Sequence, residues 1–203
     1  MTTEELGQRR PRGPYAKSAE RRETIVAAAS QVFASHGYRG GSFQDVANVV
    51  GMSQTSLLHY FPTKRDLLLA VLEYRDTKLV NESGVPLDEG IVCEVLAQSE
   101  YNVGVPGLIE LYTVLASESI SPDHPGHAYF VARFGNLRAG YAEGFRALAS
   151  EGRLRPGVDP DVAAASLVAL WDGLQLQWLM APGEVDVPAA LRAYFDQVLT
   201  PTP

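Results

Sequence analysis

The sequence predicts an all-α protein, with an N-terminal three-helix helix-turn-helix unit followed by a larger C-terminal helical region. Three observations carry that prediction. Apolar residues recur at helical spacing, as in Ile25, Ala28, Ala29, Val32 and Phe33. Glycine and proline pairs cut the chain into helix-length pieces. No run alternates apolar and polar residues between turn signals, as a half-buried strand would. Repeats and low-complexity runs are absent as well.

The chain has 203 residues, of which 46% are hydrophobic and 20% charged. That is ordinary globular composition; it excludes a disordered chain and allows one or two domains. Residues 1–17 are polar and broken by Pro11, Gly13 and Pro14, so they read as a flexible basic arm carrying Arg9, Arg10 and Arg12. Such arms lie along phosphates or enter a minor groove; an ordinary frayed terminus reads equally well.

A helix follows over 19–36, with Gly37 as its C′ residue. Ser42 and Asp45 form a capping box that opens the next helix, whose buried stripe is Phe43, Val46, Ala47 and Val50. Gly51 ends it, because the tight turn needs a residue tolerant of positive φ. Ser53 caps a short third helix that points Leu57 and Phe61 inward, and Pro62 stops it. Thr63 and Asp66 cap a long fourth helix carrying Leu67, Leu68, Val71 and Leu72. Beyond residue 80, the breaks leave apolar helices near 88–103, 106–120, 126–150, 159–181 and 187–199. The expected domains are the arm at 1–17, a helix-turn-helix unit at 18–65 and a larger helical unit at 66–203.

Two short helices joined at Gly51, behind a supporting helix, have the form of a helix-turn-helix. The second helix of that motif enters the major groove with its first residues at the base edges. Here those residues are Ser53, Gln54, Thr55 and Ser56. Gln54 suits bidentate bonding to adenine. His59, Tyr60 and Lys64 fall where phosphates would run. A plain helical hairpin with polar surface residues is the competing reading.

Charge first argues against nucleic acid, since the chain carries a net −7. The charge is polarised, however. Residues 1–75 hold 10 Lys and Arg against 7 Asp and Glu, a net +3. Residues 76–203 hold 7 against 17, a net −10, and the two parts together make the −7. Asymmetry of this kind is a recognised sign of one nucleic-acid-facing end.

Other chemistry finds little support. There is no nucleophile elbow, no phosphate-cradling glycine loop and no Cys-His signature, so neither catalysis nor a cofactor is expected. Asp123, His124 and His127 have a spacing that would serve a metal, but Pro125 and Gly126 make the segment a helix-start turn, and no metal is expected. Cys93 is the one cysteine, which excludes an internal disulfide and fits a reducing cytoplasm; it reads as a buried structural residue. No charged-then-apolar leader opens the chain, and no apolar stretch approaches the ~20 residues of a membrane span.

Aromatic residues concentrate in the C-terminal region, and most of them read as core. Ligand pockets share that composition, with a few added polar groups. The candidate pocket residues are Asn102, Tyr112, Phe134, Trp171, Gln175 and Trp178. With few ionisable groups among them, a neutral or amphipathic effector is expected.

Over 42–72 the sequence resembles the N-terminal domain of TetR-type transcriptional regulators. The residues that carry the resemblance run from Ser42, Phe43, Gln44, Asp45, Val46 and Ala47 through Gly51, Met52, Ser53, Gln54, Thr55, Ser56 and Leu57. They continue through Tyr60, Phe61, Pro62, Thr63, Lys64, Arg65, Asp66, Leu67 and Leu68. Phe33 to Tyr38 fit as well. The segment around Trp171, Asp172 and Gly173 is similar to a common C-terminal variant of that family. The resemblance implies a homodimeric, cytoplasmic repressor that leaves a palindromic double-stranded operator when a small-molecule effector binds. It implies a phosphate-facing helix cap at Ser42, base-edge contacts from Gln44, Gln54 and Thr55, and phosphate contacts from Tyr60 and Lys64. It also implies a dimer surface on the helices near 126–150 and 159–181, where Gly135, Ala139, Ala142 and Gly173 would allow close approach. One departure is Leu58, where the family often carries Tyr; leucine has no hydrogen bond to donate. The competing class is a helical small-molecule-binding protein or enzyme without DNA function.

Overall fold

Local capping sets most helix starts. In the computed structural model, which describes residues 14–83 and 90–201, the helices are α1 (Pro14–Gly40), α2 (Phe43–Val50), α3 (Gln54–Tyr60), α4 (Lys64–Ser83), α5 (Ile91–Val103), α6 (Pro106–Glu118), α7 (His127–Ser150), α8 (Pro160–Met180) and α9 (Val187–Val198). No strand occurs among the described residues; the one bridge pair joins Leu154 to Leu199. The all-α prediction holds.

Ser42 and Asp45 cap α2 reciprocally, each side chain accepting the other's backbone N–H. Thr63 and Asp66 do the same at α4, both at 3.1 Å. Ser53 accepts the Ser56 N–H at α3, and Asp159 and Asp186 cap α8 and α9. Caps of this kind contribute about 1 kcal/mol each.

The first helix departs from expectation at both ends. It begins at Pro14, so residues 14–17 are helical and not part of an arm; proline suits a first helical position, where no N–H is needed. Arg9, Arg10 and Arg12 lie outside the described residues. At the other end Gly37 has φ 70° and ψ 174°, which breaks the helix before one more turn.

Two apolar clusters hold the chain together. The first joins Ile25, Ala29 and Phe33 of α1 to Val46, Leu57 and Leu68, and continues into Leu111 and Leu115 of α6 and Phe130 of α7. The core of the helix-turn-helix is therefore shared with helices that follow it. The second joins α5, α7, α8 and α9 through residues such as Val95, Phe145, Leu167 and Phe195. Within it, α7 and α8 pack along much of their length. Cys93 is half-buried, less enclosed than its apolar neighbours suggested. No helix among the described residues is long and apolar enough to cross a membrane.

Candidate nucleic-acid interface and effector site

The turn between α2 and α3 depends on Gly51, whose φ of 72° is left-handed. It places the first turn of α3 on the surface. Gln54 and Thr55 are exposed there with no backbone duty, as are Leu58 and His59 one turn later. Ser53 and Ser56 are committed to the cap, with their hydroxyls 2.8 Å apart. Ser42 is the α2 cap, and its bonds hold the Asp45 carboxyl below the usual range. Gln44 is exposed, and its amide donates to Asn48 at 2.8 Å.

Lys64 is less free than its position in sequence implied. Its Nζ sits 4.6 Å from the centre of the Tyr38 ring and 3.4 Å from the Arg39 carbonyl. Partial burial pulls its pKa down, against the pull of Glu118 and Asp45. Tyr60 lies in a groove between α1 and α3, of about 620 Å³, lined also by Lys17, Ser18, Glu20, Arg21 and Thr24. Sequence reasoning missed Lys17 and Arg21. The signal was present, because residues 17, 21 and 24 share one helical face.

Behind this surface a carboxylate links the two ends of the fold. Glu118, the last residue of α6, accepts the backbone N–H of Tyr38 at 2.5 Å and of Arg39 at 3.4 Å. A Cβ on Gly37 would stand 2.6 Å from Glu118 Oε1, so it would displace that carboxylate, while the left-handed backbone itself calls for glycine. His124 packs edge-on to Tyr38 at 4.9 Å. Its Nδ1 accepts the Gly126 N–H at 3.1 Å, which puts the proton on Nε2, and burial lowers its pKa. His127 Nδ1 is 2.8 Å from the Ser119 carbonyl. Both histidines thus serve the turn, and no group of three potential metal ligands occurs among the described residues.

The C-terminal region holds a buried polar cluster built from four helices. Arg75 and Asp76 come from α4, Tyr112 from α6, Tyr129 and Arg133 from α7, and Asp172 from α8. Both guanidinium groups meet the same oxygen, Asp76 Oδ1, at 3.0 Å. The Tyr129 hydroxyl donates to Asp76 Oδ2. Arg75 is only 3% exposed. It stacks 4.3 Å from the Tyr112 ring centre, with Arg133 at 5.3 Å from the same ring. Each arginine has a buried Nε–H without an acceptor. An unsatisfied buried donor costs about 1–3 kcal/mol.

Electrostatics follow from burial. Asp172 is pushed up to about 6, by burial first, while Arg133, Arg75 and a hydrogen bond from Tyr112 oppose the rise. The Tyr129 hydroxyl rises to about 12, chiefly by burial. Burial opposes the Arg133 charge too, but Asp76 and the surrounding tyrosine hydroxyls outweigh it. Beside Arg133, a cleft of about 330 Å³ is lined by Asp76, Tyr129, Ala132, Asn136 and Leu137.

Of the expected pocket residues, Tyr112 is the centre of this cluster. Phe134 stacks on Phe130 at 6.4 Å between ring centres, and Phe130 in turn packs on Tyr112 at 5.6 Å. Trp171 and Gln175 are buried on α8, one residue before and three after Asp172. Trp178 packs against the second apolar cluster, and Asn102 pairs with Gln98 at 2.9 Å. The expectation of few ionisable groups is corrected: Arg75, Asp76, Arg133 and Asp172 converge where packing was expected to be apolar. On the outer face, Ala142 is only 1% exposed and packs within its own subunit, so it is withdrawn from the dimer surface.

Comparison with known proteins agrees with this architecture. The family model described as bacterial regulatory proteins, tetR family, matches residues 25–71. A second, described as BetI-type transcriptional repressor, C-terminal, matches residues 127–200. The transcriptional activator FasR of Mycolicibacterium smegmatis is 35% identical over 85 residues, 39% of each chain. That match spans well under two thirds of the relative's length. The transcriptional repressor AcnR of Corynebacterium diphtheriae is 25% identical over 169 residues, 82% of this chain and 84% of that one. A transcriptional regulator of Saccharomonospora viridis, solved in complex with choline, superposes with a TM-score of 0.75 at 21% identity, covering 90% of this chain and all of that one. With the helix-turn-helix at one end, the helical unit at the other and both matched segments of one lineage, the chain belongs to the TetR family of bacterial regulatory proteins.

Proposed function

We propose that the chain is a ligand-responsive transcriptional regulator that acts by binding and not by catalysis. Two subunits read the halves of a palindromic operator, and a small molecule in the C-terminal region releases them. Within each subunit, 18–65 reads DNA and 66–203 holds the effector and the dimer contact. Gln54 and Thr55 reach base edges from α3, with Gln44 beside them. Ser42, Ser53, Ser56, His59, Tyr60 and Lys64 face the phosphate backbone, joined by Lys17 and Arg21. Such a protein works in the cytoplasm, where its operator is.

One observation carries the reading. Helix α4 begins at Lys64, beside the DNA-facing surface, and eleven residues later places Arg75 in the buried cluster. At 1.5 Å per residue those points are about 16 Å apart on one rigid element. A ligand that shifts α4 therefore moves the base of the helix-turn-helix. Recognition helices must sit about 34 Å apart to reach successive major grooves, so small rotations suffice to abolish binding. Typical coupling is ~1–3 kcal/mol, a 5–150-fold change in operator affinity.

Dimerisation uses the outward face of α7 and α8. Leu176 and Met180 are exposed there, Met180 to 76%. A Cβ added at Gly135 or Gly173 would meet nothing within 4 Å, so both glycines border open space. The choline of the Saccharomonospora viridis protein does not carry over. A quaternary ammonium needs an uncovered aromatic face, and Tyr112, the ring at the centre of the cluster, already carries two guanidinium groups, which favours another ligand chemistry.

The test is a gel shift of the purified protein on the DNA upstream of its own gene, across a salt series. Sequence-selective binding that weakens linearly in log salt supports the reading. Equal weak affinity for all DNA would leave only a small-molecule-binding helical protein.

A further inference from the structure

The polar cluster contains more N–H donors than its own acceptors answer: two arginines face the two carboxylates Asp76 and Asp172, yet donors are left over. Arg75 and Arg133 share one carboxylate oxygen, Asp76 Oδ1, at 3.0 Å each. Asp76 Oδ2 is already taken by the Tyr129 hydroxyl. Both arginines stack on one tyrosine ring, so their charges lie close together, and Arg133 pulls the Arg75 pKa down beneath the effect of burial. Each keeps a buried Nε–H with no acceptor. The side edge of a guanidinium, from Nε to Nη, is a fork that matches a carboxylate bidentately.

The cluster also has a way in. Arg133 lines the cleft of about 330 Å³, together with Asp76, Tyr129, Ala132, Asn136 and Leu137. That volume lies at the lower end for small-molecule sites. Its lining mixes polar groups with the apolar side chains of Ala132 and Leu137. Arg133 also packs on the Tyr112 ring, which carries Arg75 as well and has Phe130 against it.

We infer that the effector site takes a small amphipathic carboxylate, whose head group bonds the Arg133 guanidinium where it lines the cleft and whose apolar part lies along Ala132 and Leu137. The inference deepens the proposed function and rests on it for the word effector; the binding site itself does not. It keeps the amphipathic character expected from sequence and replaces neutral by anionic.

The experiment uses the full chain and three matched probes: 4-phenylbutyrate, 4-phenylbutanamide and (3-phenylpropyl)trimethylammonium. Thermal shift and calorimetry at constant ionic strength read their affinities, with acetate and benzoate as shorter carboxylates. The carboxylates are expected to bind at least about tenfold more tightly than the amide, and the cation not at all. Arg133→Gln is expected to erase the carboxylate preference while its own melting remains cooperative. Arg133→Lys should retain part of it, which a purely structural role would not produce. Equal affinity for acid and amide, preference for the cation, an Arg133→Gln variant that still prefers the acid, or no carboxylate-specific stabilisation at 10 mM (about the weakest binding a small cleft would show) each overturn the inference. A gel shift without probe is run beside it. Operator binding without anion preference sinks the carboxylate site and leaves the regulator; anion preference without operator binding does the reverse.

Discussion

Glu118 accepts a hydrogen bond from the backbone N–H of Tyr38, eighty residues earlier, and so caps from α6 the final turn of α1. The contact fastens the helix that carries Tyr112 to the helix that supports the helix-turn-helix. Glu118→Ala removes a charge-assisted bond to two backbone donors and should cost about 1–2 kcal/mol. For a chain of this size that is a fall of roughly 2–8 °C in Tm. Gly37→Ala should cost more, because it adds a strained φ and pushes the Glu118 carboxylate off its two backbone donors. Thermal melts check both. An Ala at 37 that melts like the wild type would contradict the close approach. With a ligand in hand, Glu118→Ala should also shrink the effector's influence on operator affinity more than the affinity itself.

Lys17 and Arg21 line the groove beside Tyr60. If phosphates run there, each releases about one counterion's worth of salt dependence, ~0.9 in the slope of log affinity against log salt. The Lys17→Ala, Arg21→Ala double variant should flatten that slope by about two units and weaken all sequences alike. A gel-shift salt series measures it, and an unchanged slope removes α1 from the interface.

Gln54 is exposed on the first turn of α3 and has no bond to its own backbone, so its amide is available to a base. Gln54→Ala should cost roughly 1–3 kcal/mol on the operator and relax preference at one base pair. Lys64→Ala makes a useful contrast. It loses a cation held over Tyr38, so it should lower thermal stability as well as flatten the salt slope by about one unit. Operator variants scanned by gel shift separate the two; an unchanged base preference in Gln54→Ala takes that residue out of base reading.

Asp172 should make the protein more stable in mild acid. Its carboxyl is raised from 3.8 to about 6, so between those values the folded chain binds a proton that the unfolded chain does not. Stability therefore rises as pH falls from about 6 to about 4, and the ionisation penalty is fully present above 6. The two pKa values correspond to at most about 3 kcal/mol. Asp172→Asn should be the more stable protein at pH 7, with the advantage fading by pH 4. Urea melts across that range test it, and an advantage that does not change with pH would refute the burial argument.

The charged cluster leaves a trace in the helical stripes of the sequence. In α4 the buried positions run Leu68, Val71, Leu72, and the next position of the same stripe is Arg75. In α7 the stripe through Phe130 and Phe134 includes Arg133, and in α8 the stripe through Val168 and Trp171 continues at Asp172. A charge on an apolar stripe is buried only if something pairs with it. Each was passed over singly, because its partner lay on a different helix. The apparent freedom of Lys64 misled for the same reason: Tyr38, its partner, is twenty-six residues away.

What the sequence by itself determined was everything that short-range chemistry controls. The all-α class follows from apolar period, the helix ends from caps such as Ser42 with Asp45 and Thr63 with Asp66, and the tight turn from Gly51. Each depends on neighbours within about four residues, so each is written locally. Tertiary structure alone decided that Arg75, Asp76, Arg133 and Asp172 share one cluster, that Glu118 reaches Tyr38, and that Ala142 faces inward. Those outcomes depend on how helices far apart in the chain pack. Burial then turned ordinary charged residues into a site, by removing the water that would otherwise have answered them.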